Sequence, residues 1–162
     1  MAIYDIDITL QSDAWKNKNR KIEAFVTDIV EKTYNRMIEN IPHIEVSVVL
    51  ADNKFTQDLN NKYREQDKPT NVLSFPITDE DILIAPSPFL SLGDIIIAYE
   101  TIKAEAAEQN KGFNNHLTHM LVHGCLHLLH YDHIDDEDAQ EMETLEIKIL
   151  DSMGIKNPYE IL

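Results

Sequence analysis

Six of the seven histidines of this 162-residue chain fall between His116 and His133. Imidazole is the one side chain whose ordinary pKa lies near neutrality, and its neutral form is a common metal ligand, so this density points to proton transfer or to metal binding. On an α-helix, His116, His119, His123, His127 and His130 fall within an arc of roughly 80° and form a stripe along one face. They cannot all reach one ion. His123 and His127 are the best spaced, since residues four apart on adjacent turns can point both rings at one metal at about 2.0–2.1 Å. A third ligand must come from beyond a bend. His133 fits if the helix ends near His130 and the chain curls back through Tyr131-Asp132; His130, on the stripe itself, is the rival. Three protein ligands leave a position open for water, which is the arrangement of catalytic zinc. The expected site is therefore one zinc ion per chain, at the end of a helix in the C-terminal half.

The spacing His-x3-His-x5-His matches the ligand positions of the H-E-x-x-H-x-x-G-x-x-H zinc peptidases, but two departures say more than the match. Gly124 follows His123 where a peptidase needs the Glu that activates water, so a peptidase requires some distant acid in its place. Gly124 itself serves either the close approach of a substrate or the packing of the helix. His130 stands where the peptidase pattern has its turn glycine; if that position needs positive φ, histidine carries a steric cost there, although it is among the residues tolerated. Asp132 either orients a ligand imidazole or makes a local turn bond. His119, one turn before His123, either donates to a phosphate or a water at the metal or partners another ring of the stripe. Cys125 lies about 200° round the helix from His123 and His127 and reads as a core thiol, with thiolate ligation a remote alternative. As the only cysteine, it excludes an intramolecular disulfide and a thiolate-rich zinc site.

The elements that must position these residues can be read from hydrophobic periodicity. A partly alternating stretch with Ile3, Ile6, Ile8 and Leu10 predicts an edge-like or half-buried strand, and apolar residues at helical spacing across about 19–40 predict a long helix. A second strand is expected over 44–51. Asp52 then caps a helix carrying Phe55, Leu59 and Tyr63, which should end near Gln66. Short strands are expected over 71–75 and about 92–99, separated by a loop over 77–91 that is either a mobile flap or an insertion without fixed structure. Three helices complete the chain: one to Lys111-Gly112, one capped by Asn114 or Asn115 and running to about Leu129, and one over about 135–153 stopped by Gly154. The order predicts an α+β fold in a single domain spanning 1–162, with a small mixed sheet of about four strands packed against helices.

Length and composition agree with one domain. No apolar run approaches the roughly 18 residues needed to cross a bilayer, and the opening residues show neither a basic nor an apolar leader region, so a soluble cytoplasmic protein is expected. A formal charge of -15 works against non-specific adhesion to nucleic acid or to an anionic membrane. Neither DNA nor a membrane is an expected partner, and contact with RNA would have to be local. Most of the acids read as a solvated surface. The densest basic group is Lys62, Arg64 and Lys68, with Lys54 upstream, and it either contacts RNA backbone or is simply solvated. Tyr63 and Phe75 can stack a base, although core packing is the plainer reading for both.

The combined pattern resembles a known family. It is carried by the run from His119 through His123-Gly124-Cys125-Leu126-His127 to His130-Tyr131-Asp132-His133, by Leu59-Asn60-Asn61-Lys62-Tyr63-Arg64, by Asp67-Lys68-Pro69-Thr70-Asn71-Val72-Leu73-Ser74-Phe75-Pro76, and by Leu92-Gly93-Asp94-Ile95. In order and content these segments are similar to the YbeY-type endoribonucleases, metal-dependent rRNA maturation factors of bacteria. The departure is His130, where the family usually has glycine. The resemblance implies zinc at His123, His127 and His133, with Arg64 as a functional residue on the same side. It also implies cleavage of single-stranded RNA, maturation of the 3′ end of small-subunit rRNA on the ribosomal small subunit, and a part in ribosome quality control. Arg64 offers a planar fork for a phosphate; without the resemblance it would read as a surface arginine paired with an acid. Two other classes stay open: a non-catalytic ribosome-assembly factor stabilised by zinc, and a zinc peptidase lacking the usual Glu. Oligomeric state is not legible.

Overall fold

The structure, a computed structural model, describes residues 2–18, 21–64, 70–78 and 88–160. Strands β1 (Ile3–Leu10), β2 (His43–Ala51), β3 (Val72–Pro76) and β4 (Leu90–Ala98) form one sheet in the order β1-β2-β4-β3. The β1–β2 and β2–β4 pairs are parallel, whereas β3 runs antiparallel to β4, so the sheet is mixed as expected. β1 and β3 are its edges. β3 reaches β4 at a tight crossing, Pro76 opposite Gly93. A side chain at Gly93 (φ 131°) would place its Cβ 2.2 Å from the Phe75 carbonyl oxygen.

The helices are α1 (Asp13–Lys18), α2 (Ile22–Met37), α3 (Asn53–Arg64), α4 (Tyr99–Glu108), α5 (Phe113–Leu128) and α6 (Asp136–Ser152). Together with the sheet they make the α+β fold predicted. Short α1 was not expected: its one fully buried hydrophobic side chain, Trp15, gives no periodicity to detect, yet that indole anchors it by donating to the Ala51 carbonyl at 2.9 Å. Asp52 does cap α3, accepting from Phe55 N at 2.8 Å. Asp135 caps α6 in the same way, accepting from Asp138 N. The expected cap of α5 is corrected. Its N-cap is Gly112, with no side-chain cap, and neither Asn114 nor Asn115 serves.

Alternation splits the sheet into two faces. Val46, Val48, Leu50, Ile95 and Ile97 join the main core with residues of α2, α5 and α6, while Leu73, Ile96 and Ala51 pack under Phe55 and Leu59 of α3. Exposed Asp5, Asp7, Glu45 and Asp94 cluster around a hollow further along the α3 face, which accounts for part of the acidic excess as solvated surface. α5 is the spine of the other side, touching α2, α4, α6, β3 and β4. It is buried nearly all round, with Leu117, Leu121, Leu126 and Leu128 fully enclosed, and each such side chain contributes roughly 1.5–3 kcal/mol by leaving water. His116, His119, His123 and His127 therefore sit on a helix buried on most of its surface.

Gly124 is what lets α5 lie so close to the sheet. A Cβ there would stand 2.9 Å from Ile95 Cγ2 and 3.3 Å from Val72 Cγ2. Of the two readings of this glycine, helix packing is the one the structure supports. Cys125, on the far side of the helix, is buried as expected; burial pushes its thiol up to about 12, and the Tyr34 hydroxyl donates to its carbonyl at 3.0 Å.

Candidate metal centre and groove

α5 ends at Leu128, and the chain reverses at once through a hydrogen-bonded stop. His130 N donates to His127 O at 2.9 Å, and Tyr131 N donates to Leu126 O at 3.1 Å. This is the Schellman pattern, in which the residue after the C-cap takes a left-handed conformation usually given to glycine. Here it is His130, with φ 71°, so the positive φ anticipated for that position is present. The ring of His130 turns away from the other histidines and donates from Nε2 to the Thr78 carbonyl at 2.7 Å.

The reversal carries His133 back over α5. One nitrogen from each of His123, His127 and His133 lies within 4.8 Å of the others, a group that could hold a metal ion; His130 is not in it. The His123 ring stacks on that of His133 at a centroid distance of 5.5 Å, and His127 meets both rings edge-on at 4.5 and 5.3 Å. Asp132 binds no imidazole: its Oδ1 accepts from His133 N at 2.7 Å, the local turn bond.

Hydrogen bonds fix which nitrogen each ring presents. A carbonyl can only accept, so His127 Nδ1 carries the proton it donates to Tyr131 O at 2.9 Å. His123 Nδ1 likewise faces the Glu146 carboxylate at 3.2 Å. Both rings then present a bare Nε2, and these two atoms stand 2.9 Å apart. Two lone pairs at that distance repel unless a proton or a metal cation lies between them. Burial, and then the neighbouring charges of His123 and His133, lower the His127 pKa to about 4, so protonation is resisted. A set of neutral imidazole donors converging on one point suits zinc.

His123, His127 and His133 line a groove of about 680 Å³. β3 and the preceding residues line one wall with Thr70, Asn71 and Ser74, α3 contributes Asn60, and the α5 turn contributes His130, Tyr131 and Asp132. Arg64 follows Asn60 by one helical turn, as the last residue of α3. Its side chain lies outside the described residues, as do Gln66, Lys68 and the middle of the expected 77–91 loop. Tyr63 is 58% exposed and meets the half-buried Phe75 edge-on at 5.7 Å, so core packing holds in part for Phe75 and not for Tyr63. His119 is absent from the groove lining; it is buried, and its Nε2 donates to Glu146 at 2.8 Å. His116 Nε2 similarly donates to Glu105 at 3.0 Å.

Two residues at this centre escaped the sequence reading. Glu146 is fully buried on α6, and Tyr159 reaches it from the segment beyond that helix. Burial alone would raise the pKa of Glu146, but hydrogen bonds from His119 and His123 prevail and hold it at about 2. Burial and the adjacent Glu146 raise that of Tyr159. A signal for Glu146 did exist: it shares a helical stripe with Met142, Ile149 and Leu150, all buried.

Fold and site together define a class: an α+β protein with a three-histidine cluster lining a groove beside a sheet edge. The model of the family described as Endoribonuclease YbeY matches residues 7–154, and the chain belongs to that family. It is 41% identical to Endoribonuclease YbeY of Agrobacterium fabrum, over 98% of this chain and 96% of the relative. The protein of that name from Paramagnetospirillum magneticum is 52% identical over 72% of this chain and 71% of its own. A Thermotoga maritima protein known from its solution structure superposes with a TM-score of 0.58 at 28% identity, covering 91% of this chain and 87% of that one. Among the described residues, no helix is long and apolar enough to cross a membrane.

Proposed function

We propose that the protein is a zinc-dependent, single-strand-specific endoribonuclease that matures the 3′ end of small-subunit rRNA and serves ribosome quality control. The observation that carries the reading is the convergence of His123, His127 and His133 in the groove lined by β3, in a chain whose relatives are named endoribonucleases. The residues present fit the metal: two bare Nε2 atoms face each other at 2.9 Å, and exposed His133 leaves one side open to solvent. When bound, zinc supplies a Lewis acid that makes water nucleophilic near neutral pH and draws charge from a phosphoryl oxygen, which removes the need for a peptidase-type Glu at Gly124.

This chain's residues do the rest. Thr70 offers a neutral hydrogen-bonding group in the groove, while Asn60, Asn71 and Ser74 give its wall a neutral polar character, Asn71 being bonded to Glu105 and Ser74 to the Gly124 carbonyl. Arg64, at the end of α3, supplies the fork for the non-bridging oxygens of the phosphodiester. Water adds at phosphorus, one P–O ester bond breaks, and the leaving oxygen takes up a proton. His119 acts at one remove, through Glu146.

The test is cleavage of a single-stranded fragment from the 3′ end of small-subunit rRNA by zinc-loaded protein. Wild type cleaves it, while His123→Ala and Arg64→Ala fall to background. Equal cleavage by all three would trace the activity to a contaminating nuclease and overturn the reading. Binding to small subunits without cleavage by any of them would replace it with a zinc-stabilised assembly factor.

A further inference from the structure

The metal cluster leaves a buried carboxylate to be explained. Glu146 does not line the groove, yet its Oε1 receives three donors: His119 Nε2 at 2.8 Å, the Tyr159 hydroxyl at 3.0 Å and His123 Nδ1 at 3.2 Å. The same hydroxyl is 3.1 Å from Oε2. Taking an ionised acid out of water is costly unless partners replace the lost solvation. Here the replacement comes from the metal cluster's own helix and from the chain's C-terminal segment. We propose that Glu146 is the positioning residue of the metal centre, holding His123 so that Nε2 faces the ion, and that Tyr159 locks Glu146 in place. The proposal rests on the metal reading given above.

The two α5 ligands are held differently. His127 is oriented by a neutral backbone carbonyl, which no side-chain substitution removes. His123 is oriented by a full negative charge, which fixes its tautomer, raises its basicity as a ligand and offsets part of the charge of a cation held by three neutral rings. His119 and Tyr159 hold the carboxylate from its other sides, their rings edge-on at 5.4 Å. The segment after α6 thereby becomes part of the centre, although it contributes no ligand.

The test is zinc affinity, measured by titrating Zn2+ into metal-free protein against a competing chelator. Glu146→Gln, close to isosteric, is expected to weaken zinc binding about 10–100-fold. Tyr159→Phe should weaken it several-fold and serves if Glu146→Gln fails to fold. Tyr34→Phe is the control, since it deletes a different buried hydrogen bond to the same helix, the one to the Cys125 carbonyl; it should lower the melting temperature and leave zinc affinity unchanged. In the metal-free protein, nitrogen NMR of the His123 ring should show the proton on Nδ1 in wild type and mixed tautomers in Glu146→Gln. Wild-type affinity in Glu146→Gln, or equal weakening by Tyr34→Phe, would overturn the proposal. Failure of wild type to bind zinc would overturn the metal reading and this proposal with it, whereas tight binding by both wild type and Glu146→Gln would sink the positioning role alone.

Discussion

At the end of α6 the chain turns through Gly154 with φ 78°, and at the end of α5 it turns through His130 with φ 71°. The backbone bonds are the same at both. Gly154 N donates to Asp151 O and Ile155 N to Leu150 O, just as His130 N and Tyr131 N donate to His127 O and Leu126 O. Glycine takes this conformation freely, whereas another residue gives up about 1 kcal/mol or more to adopt it. The α6 stop is thus the relaxed version and the α5 stop the strained one. What the strained version gains is contact: its histidine bonds to Thr78 beyond β3, the next carbonyl orients His127, and three residues on His133 closes the cluster. One motif terminates a helix at Gly154 and assembles a site at His130.

The two stops should differ most in their effect on bound zinc. His133→Ala should lose bound zinc almost entirely, His130→Ala should keep most of it, and Gly154→Ala should keep all of it. Elemental analysis of the purified variants checks the ranking, and greater loss in His130→Ala would move the third ligand to the turn itself.

A smaller effect should separate the two stops on acidification. In metal-free protein His127 resists protonation down to about 4, against an ordinary value of 6.5. Between those values the unfolded chain binds the proton and the folded one does not, so this contribution to stability is lost as pH falls from 6.5 toward 4. Protection from amide exchange, taken relative to the unfolded chain at the same pH, should accordingly fall at the α5 end before the α6 end; a simultaneous fall would deny His127 this role.

Backbone strain gives the smallest effects. Gly154→Ala should cost about 1 kcal/mol in denaturant unfolding. His130→Gly should change stability by no more than about 0.5 kcal/mol, because relief of the left-handed strain offsets the lost bond to Thr78. That variant should still speed amide exchange at Ile77, whose N–H is bonded to Leu92 O beside Thr78. A large gain in stability with unchanged exchange would mean that the Thr78 contact holds nothing.

What could be read from the sequence follows the range of the interactions. The spacing of His123, His127 and His133, the bend near His130 and the cap at Asp52 are local, set by a few residues of helix or turn, and they were legible. The main strands were too, because alternation is local. Glu146 left only a faint mark, its place on the apolar stripe of α6 among the seven acids of that helix, and its partners His119 and His123 lie on another helix. His119 carried two open readings for the same reason, since nothing within one turn of sequence shows that its partner lies 27 residues away. Gly124 was ambiguous until β3 and β4 supplied the atoms that a Cβ would strike. Arg64 was reached only through the resemblance.

The central claim is that a turn built on His130 brings His133 to the pair on α5 to form one metal site. Crystals of zinc-soaked protein, measured at the zinc absorption edge, test it most directly. One anomalous peak is expected about 2.0–2.1 Å from Nε2 of both His123 and His127 and from a ring nitrogen of His133, with Glu146 still on His123 Nδ1. A peak bound by His130, or none at the cluster, would contradict it.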